Sequence, residues 1–355
     1  MKNIIKTVIV MLTSISLFNS ANAGELTVNG TAKATYNIMS GATELGKGLG
    51  ITNELNFTAA GELDNGWSWT YSMELDPADA AASGSANNDD TALTVTTPYG
   101  TVGMFVLEGA LDVEDAGSQS VYARPTDMGD PSATKDNYDI SSYNNLQYHT
   151  PADLLPLGLT AKVAYAPALD GTNNSGNDTG AAVTKNTTNM GSSATEYQIK
   201  ANPVDGLNIG ASYIEFTDPG LATVNDQDPE AGAYYATYAT GPFSVGYSKG
   251  FRNELGAGTI VTTAKAALIE FYEQTNYSIA YAASDDLSVS YEIEKSEANY
   301  YTAATAELEQ KSSAIQVAYT MGGMTMALSH SKHDNTAYVA DGKQKQTLVA
   351  VTMAF

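Results

Sequence analysis

An alternation of apolar and polar residues runs through most of this chain and restricts the folds open to it more than any other feature. Its clearest stretch, Trp67 to Asp76, places Trp, Trp, Tyr, Met and Leu at every second position, with Ser, Thr, Glu and Asp between them. A period of two is that of a β-strand with one apolar and one polar face. No helical period competes over any long stretch, so the sequence predicts an all-β protein.

The connections between the alternating segments are short and long in turn. The short ones contain Gly, Pro, Asn and Asp in turn combinations, such as Asp64-Asn65-Gly66 and Gly322-Gly323. The long ones are rich in Asn, Asp, Gly, Ser and Thr, and are predicted near residues 40–50, 77–90, 110–142, 169–194, 218–231, 255–268, 297–310 and 334–344. About sixteen strands with short periplasmic turns and long extracellular loops describe a transmembrane antiparallel β-barrel.

The composition excludes several classes of function. The chain has no Cys, which rules out disulfides and a zinc–thiolate site. Its formal net charge of −23 argues against a nucleic-acid partner, because an acidic surface repels phosphate. The three histidines, His149, His330 and His333, form no catalytic or zinc motif, and no nucleophile motif is present. We therefore expect no enzyme activity.

Residues 1–23 have the features of a cleaved signal peptide. Lys2 and Lys6 precede an apolar run of about 12 residues, too short for a membrane-spanning helix of about 20, and Ala21-Asn22-Ala23 supplies a cleavage site. The remaining residues, 24–355, are expected to form one domain. A secreted β-sandwich is the soluble alternative, but the polar face is mostly Ser, Thr, Asn and Gly, and the apolar face is rich in Ala and Tyr, which favours the barrel.

The last strand carries the most specific signal. Val349, Val351, Met353 and the terminal Phe355 share one face, and a terminal Phe behind alternating hydrophobics is similar to the assembly signal of bacterial outer-membrane proteins. Together with the leader and the alternating strands, this ending makes the chain resemble a Gram-negative general porin of the trimeric, sixteen-stranded kind. The resemblance implies an outer-membrane location, a water-filled pore for passive diffusion of ions and small hydrophilic solutes, a homotrimer, and a third long loop that narrows the barrel.

That third loop, residues 110–142, is the candidate constriction. It is strongly acidic, with Asp112, Glu114, Asp115, Asp127, Asp130, Asp136 and Asp139 against Arg124 and Lys135. Strand parity places four basic residues on the lumen wall: Lys33, Lys162, Lys200 and Arg252. It places seven acidic residues there: Glu54, Glu62, Glu74, Asp76, Glu196, Glu292 and Glu294. The basic residues come from scattered strands, a departure from the basic cluster that related porins oppose to the loop.

Seven acids against four bases predict a pore that prefers cations. An alternative function is a barrel acting mainly as a surface adhesin or receptor through its loops. No cofactor is expected, although acidic loop stretches near Asn87–Asp90, 170–178 and 225–230 are candidates for weakly bound Ca²⁺. The expected partners are small solutes and cations, the lipid and lipopolysaccharide of the outer membrane, and the outer-membrane assembly machinery.

Overall fold

Sixteen antiparallel strands form a closed barrel. A computed structural model describes residues 24–41, 46–76, 87–128, 136–169, 191–217, 229–253, 269–300 and 307–355. Each strand pairs with its neighbours in the chain, and the first pairs with the last. The strands are β1 (Glu25–Gly41), β2 (Gly46–Glu62), β3 (Ser68–Asp76), β4 (Asn87–Thr97), β5 (Gly100–Val106), β6 (Asn145–His149), β7 (Thr160–Ala166), β8 (Ser193–Val204), β9 (Leu207–Thr217), β10 (Glu230–Thr240), β11 (Phe243–Asn253), β12 (Ile269–Ala282), β13 (Leu287–Tyr300), β14 (Leu308–Met321), β15 (Met324–Asp334) and β16 (Lys343–Ala354).

The barrel confirms the predicted fold and strand number, and it excludes the β-sandwich. The signal-peptide residues 1–23 lie outside the described part of the chain, so cleavage stays a prediction. No helix among the described residues is both long enough and apolar enough to cross a membrane.

The two rims of the barrel differ in their connections. Short turns such as Asp205-Gly206 and Gly322-Gly323 join strands at one end, called here the turn rim. The connections that begin after β1, β3, β5 and each later odd-numbered strand lie at the opposite end, called the loop rim. This division follows from the antiparallel order, since every second connection of such a barrel meets the same rim.

Parts of two predicted loops are strand. The stretch 40–50 was expected to be a long connection, but β2 begins at Gly46 and pairs with β1 through Met39↔Gly46 and Thr35↔Gly50. Asn87–Asp90, expected in a loop, opens β4. Both predictions were wrong at these residues because Gly, Asn and Asp are common in turns and indicate the end of a strand. The hydrogen bonds of a β-sheet join backbone groups, so a strand can continue through such residues wherever a partner strand lies beside it.

The two faces of the barrel separate as the alternation predicted. Outward-facing Ile, Leu, Val and Tyr are exposed, including Ile315 at 53% and Tyr277 at 50%. Inward-facing Ser, Gln, Asn and Glu are buried among other residues, as Gln316 and Ser329 are, both at 0%. The interior of this barrel is therefore polar and its outer surface apolar, the distribution expected of a channel in a lipid bilayer.

The terminal strand closes the barrel at Gly30. The Gly30 amide donates to the Phe355 carbonyl at 2.8 Å, and the Phe355 amide donates to the Gly30 carbonyl at 3.0 Å. A Cβ at residue 30 would lie 2.6 Å from the Glu54 carbonyl oxygen and 3.0 Å from the Phe355 ring. Glycine is needed here because the Glu54 carbonyl oxygen and the Phe355 ring leave no room for a side chain at the seam.

Candidate functional site: the lumen and its inward-folded loop

The connection between β5 and β6, residues 107–144, folds into the barrel. It is described except for 129–135, and its backbone bonds to inward side chains of successive strands. Side chains of the wall donate to two loop carbonyls: Gln198 of β8 to that of Leu111 at 2.6 Å, and Ser278 of β12 to that of Gly117 at 2.7 Å. Three loop amides donate to side chains of the wall: Val113 to Ser212 of β9 at 3.1 Å, Val121 to Ser290 of β13 at 3.0 Å, and Tyr122 to Gln316 of β14 at 3.0 Å. The loop thus follows the inner wall from β8 to β14, and it contains the predicted constriction, residues 110–142.

A small apolar cluster secures both limbs of the loop. Leu111 from the outgoing limb and Ile140 from the returning limb are both fully buried. They pack with Leu169, which follows β7, and with inward residues of the wall: Ala164, Ala166, Ala194, Ile214, Phe216 and Ala231. This cluster is not evident from the sequence, because apolar residues at inward positions break the alternation, and a single Ala or Ile on a polar face carries no distinct signal.

Three of the predicted loop carboxylates bond to backbone amides of the loop itself. Asp139 accepts hydrogen bonds from the amides of Leu111 at 3.1 Å and Asp112 at 2.6 Å, and from Ser141 at 2.6 Å. Asp112 accepts from the Glu114 amide at 2.8 Å. Glu114 in turn accepts from the Asn137 amide at 2.8 Å. These residues join the two limbs of the loop.

Two carboxylates on β13 anchor the outgoing limb to the wall. Glu292 accepts hydrogen bonds from the hydroxyls of Ser118 and Ser120, each at 2.6 Å. Glu294 accepts from the amide of Thr126 at 2.8 Å and from its hydroxyl at 2.6 Å. Glu196 of β8 does the same for the returning limb by accepting from the Ile140 amide at 2.8 Å. The sequence predicted these glutamates to face the lumen; it did not predict that they would hold the loop.

Arg124 is the centre of the loop's charged group. Its guanidinium pairs with Asp115, with Asp127 at 2.9 Å and with Glu294 at 3.5 Å. The arginine side chain is only 14% exposed, whereas Asp115 and Asp127 are 55% and 48% exposed. One cation therefore faces three carboxylates, and the two aspartates remain open to the lumen.

The interior of the barrel shifts the proton affinity of these loop acids. Burial raises the pKa of Asp112, and it raises that of Glu114 well above its usual range, with the Asp112 charge adding to the effect. Although about half of the Asp115 side chain is open to the lumen, the protein around it removes enough solvent to raise its pKa to about 7, against the lowering effect of Arg124. The pKa of Asp136 is also raised, because the effect of burial is larger than the lowering effect of Arg124 and Arg252.

The predicted basic residues do not meet in one place. Lys33 lies on β1, and Lys162 on β7 stands opposite His149 of β6. Lys200 is on the adjoining strand β8, opposite Thr160. Arg252 of β11 donates to the Asp136 carbonyl at 2.7 Å and lies 3.9 Å from the centroid of the Tyr138 ring. Arg252 thus contacts the returning limb of the loop, and the wall of β16 and β1–β3 on the far side of the lumen contributes Lys33 as its basic residue.

A polar recess opens between the loop and the wall of β11–β14. The space among its lining atoms is about 370 Å³, part of which is open to the solvent of the lumen. The charged side chains that reach it from inside the barrel are those of Glu114, Arg124, Asp136 and Glu294. Ser, Thr, Gln and Asn side chains supply most of the remainder. Such a lining hydrogen-bonds water and hydrophilic solutes.

The described residues contain no group of three or more His, Asp or Glu arranged to hold a metal ion. Of the stretches considered for Ca²⁺, Asn87–Asp90 lies in β4. The stretch 170–178 and most of 225–230 lie outside the described residues, as does the loop residue Asp130.

Solved structures of porins share this fold. A substituted variant of the Rh. blastica porin superposes with a TM-score of 0.60 at 13% identity, covering 93% of this chain and all of the other. Salmonella typhi OmpF, in a complex with daunomycin, gives 0.65 at 11% identity, covering 95% and 100%.

Sequence comparison supplies the family. No curated protein sequence matches the chain significantly. The family model described as Gram-negative porin matches residues 7–337. With its sixteen-stranded barrel and inward-folded loop, the chain belongs to the Gram-negative porin family.

Proposed function

We propose that this outer-membrane channel for small solutes prefers cations. The observation that carries the proposal is the engagement of both arginines of the chain with the loop. Arg124 faces three carboxylates and Arg252 packs on Tyr138. Neither is placed on the wall opposite the loop, where Lys33 shares the lumen side with Glu54, Glu62 and Glu74.

The charge balance of the lumen favours cations at both of its walls. Asp115 and Asp127 are open to the lumen on the loop side, and glutamates line the opposite side. A narrow channel bordered by protein concentrates ions of the opposite sign. Because mobile ions screen this field over about 8 Å at physiological ionic strength, the preference is expected to weaken in concentrated salt.

Liposome swelling tests the preference with solutes of similar size. Proteoliposomes containing the purified channel should take up lysine faster than glutamate, with a neutral amino acid between them. Raising the background salt should bring the three rates together. Equal rates at low salt, or faster entry of glutamate, would contradict the proposal.

A role mainly as a surface adhesin or receptor is the second candidate. It depends on the long connections at the loop rim, most of whose residues lie outside the described part of the chain. Single-channel recording separates the two candidates, since a channel gives steady ohmic conductance and a barrel acting only as a receptor gives none. The polar interior and the channel family favour the first, and this family and fold are non-enzymatic.

The expected partners remain proposals. A homotrimer is supported by the family alone and is tested by the mass of the detergent-solubilised complex. Insertion by the assembly machinery is supported by Phe355, which is 68% exposed at the end of the last strand. Contact with outer-membrane lipid and lipopolysaccharide is supported by the exposed apolar outer face. Weak Ca²⁺ binding by the acidic stretches 170–178 and 225–230 is tested by calorimetric titration.

A further inference from the structure

Five lysines lie on the outer face of four adjacent strands, near the loop rim. They are Lys295 of β13, Lys311 of β14, Lys332 of β15, and Lys343 and Lys345 of β16, and together they are called here the lysine patch. The whole chain has 17 basic residues, so nearly a third of them stand on this one surface.

Strand parity fixes the direction of these side chains. The residues next to them, such as Ser312, His333 and Gln344, are buried in the interior at about 1% exposure. Residues of the same parity further along the strands, Ile315 and Leu328, are about half exposed on the outer surface. The lysine patch therefore faces outward, away from the pore.

The strand register places lysines directly opposite one another. Lys295 pairs with Lys311, and Lys332 pairs with Lys345. Like charges directly opposite each other across an antiparallel pair are destabilising. These pairs belong to two rows of paired residues across β13–β16, in which Asp334 is the single carboxylate. Lys295 also forms an ion pair with Glu309 at 2.9 Å, outside these rows. Lys332 and Lys345 have no carboxylate opposite them in these rows, so an anion between their ammonium groups would remove the repulsion of that pair.

The depth of the patch indicates where that anion comes from. One row further from the loop rim, the outer face carries Tyr291 and Ile315 on β13 and β14, and His330 and Thr347 on β15 and β16. The row after it is apolar on all four strands: Val289, Val317, Leu328 and Val349. The lysines thus stand at the edge of the apolar band, the level of lipid headgroups. Long basic side chains commonly reach from such positions into the interface.

We propose that the lysine patch binds the phosphate groups of a phosphorylated lipid in the outer leaflet. A phosphate group can accept hydrogen bonds from two ammonium groups at once. The Lys295–Lys311 and Lys332–Lys345 pairs provide such groups. Because the protein supplies the cations, the lipid is held without a bridging divalent ion. The proposal is independent of ion selectivity, since the patch and the pore lie on opposite faces of the wall.

The first test measures retained lipid. The purified channel in detergent is loaded with bis-phosphorylated lipid A, washed with EDTA, and compared with the triple variant K311A/K332A/K345A. A juxtamembrane basic residue contributes about fivefold to binding of anionic lipid, so the triple variant should bind on the order of a hundredfold more weakly. Lys47, outward on β2 and opposite Ile38, provides the matched control K47A, which should bind as the wild type does.

Two further arms separate the source of the phosphate. Dephosphorylated lipid A should bind no better to the wild type than to the triple variant, and millimolar inorganic phosphate should fail to displace the bound lipid. Equal binding of the dephosphorylated lipid, full displacement by inorganic phosphate, loss of lipid in EDTA, or unchanged binding by the triple variant would each overturn the proposal.

Thermal unfolding guards against a structural explanation. In lipid-free detergent the triple variant should unfold at the same temperature as the wild type or higher, because like-charge pairs have been removed. With phosphorylated lipid present, only the wild type and the charge-retaining K311R/K332R/K345R should gain stability. A triple variant that unfolds earlier without lipid would show that the lysines serve the fold, and would contradict the proposal.

Discussion

Asp139 and Asp127 are acidic residues of the same loop with different roles. Asp139 accepts three backbone hydrogen bonds and joins the limbs of the loop. Asp127 pairs with Arg124 and leaves about half of its side chain open to the lumen. Counting carboxylates therefore overstates the charge that a permeating ion meets, because part of the acidity of the loop is used to fold it.

The largest effect is expected from removing both anchors on β13. The double variant E292A/E294A loses the acceptors for Ser118, Ser120 and Thr126. Hydrogen bonds to a charged group contribute about 1.5–3 kcal/mol each, so even two lost bonds weaken docking of the loop by about 3 kcal/mol or more. Single-channel recordings should show larger and noisier conductance. Glu54, on the far wall, offers the control E54A, whose conductance noise should stay at the wild-type level; a quiet double variant would argue against the anchoring role.

The next effect distinguishes the two aspartates by stability. In D139N a single side-chain oxygen must accept the amide hydrogen bonds that two carboxylate oxygens accept in the wild type. This should lower the free energy of unfolding by about 1–3 kcal/mol. D127N removes an ion pair that is half exposed and worth about 0–1 kcal/mol. Denaturant unfolding in detergent should separate the variants in that order, and equal stabilities would remove the distinction between structural and lumen-facing acids.

Arg124 should affect selectivity more than stability. R124A leaves Asp115, Asp127 and Glu294 without their shared cation. At a pH above the raised pKa of Asp115, where these carboxylates stay ionised, the preference of the pore for cations should rise by roughly threefold, the effect of one unit charge at several ångströms in a partly aqueous medium. R124K keeps the charge but loses the paired donors to Asp127, and should stay near the wild type in permeability ratio. A fall in cation preference in R124A would contradict this placement of charge.

The smallest effect is a dependence on pH. The pKa of Asp115 is raised to about 7 by burial, so acidification from pH 8 to pH 6 should protonate it and lower the cation preference. D115N should remove this step while D127N keeps it.

The stability of the fold also depends on pH, in the direction opposite to that of an ordinary ion pair. The raised pKa values of Asp112 and Glu114 mean that the folded state binds more protons than the unfolded state. Their contribution to stability is therefore greatest at low pH and decreases as the pH rises through the raised pKa.

The alternation of residues in the sequence was sufficient to predict the barrel, because every second residue of a strand meets lipid and the rest meet the pore. It also predicted an inward direction for Glu196, Glu292 and Glu294, which contact the loop inside the barrel. It failed at Gly46–Gly50 and Asn87–Asp90, where backbone pairing continued through turn-like residues.

The pairing of charges in the lumen was beyond reach of the sequence. Arg124 and Glu294, or Ser118 and Glu292, are far apart along the chain and meet only because the loop crosses the barrel. Parity gives the face on which a strand residue lies, but it says nothing about which residue of an irregular loop lies against it. The role of Glu292 and Glu294 as anchors therefore emerged only with the three-dimensional arrangement.

The cation preference can be measured as the reversal potential of the purified channel under a KCl gradient in a planar bilayer. A lumen with net acidity should give a potential whose sign shows K⁺ crossing more readily than Cl⁻, with a magnitude that decreases as both KCl concentrations are raised. A potential of the opposite sign, showing chloride preference, would contradict the assignment of Arg124 and Arg252 to the loop contacts and of net acidity to the lumen.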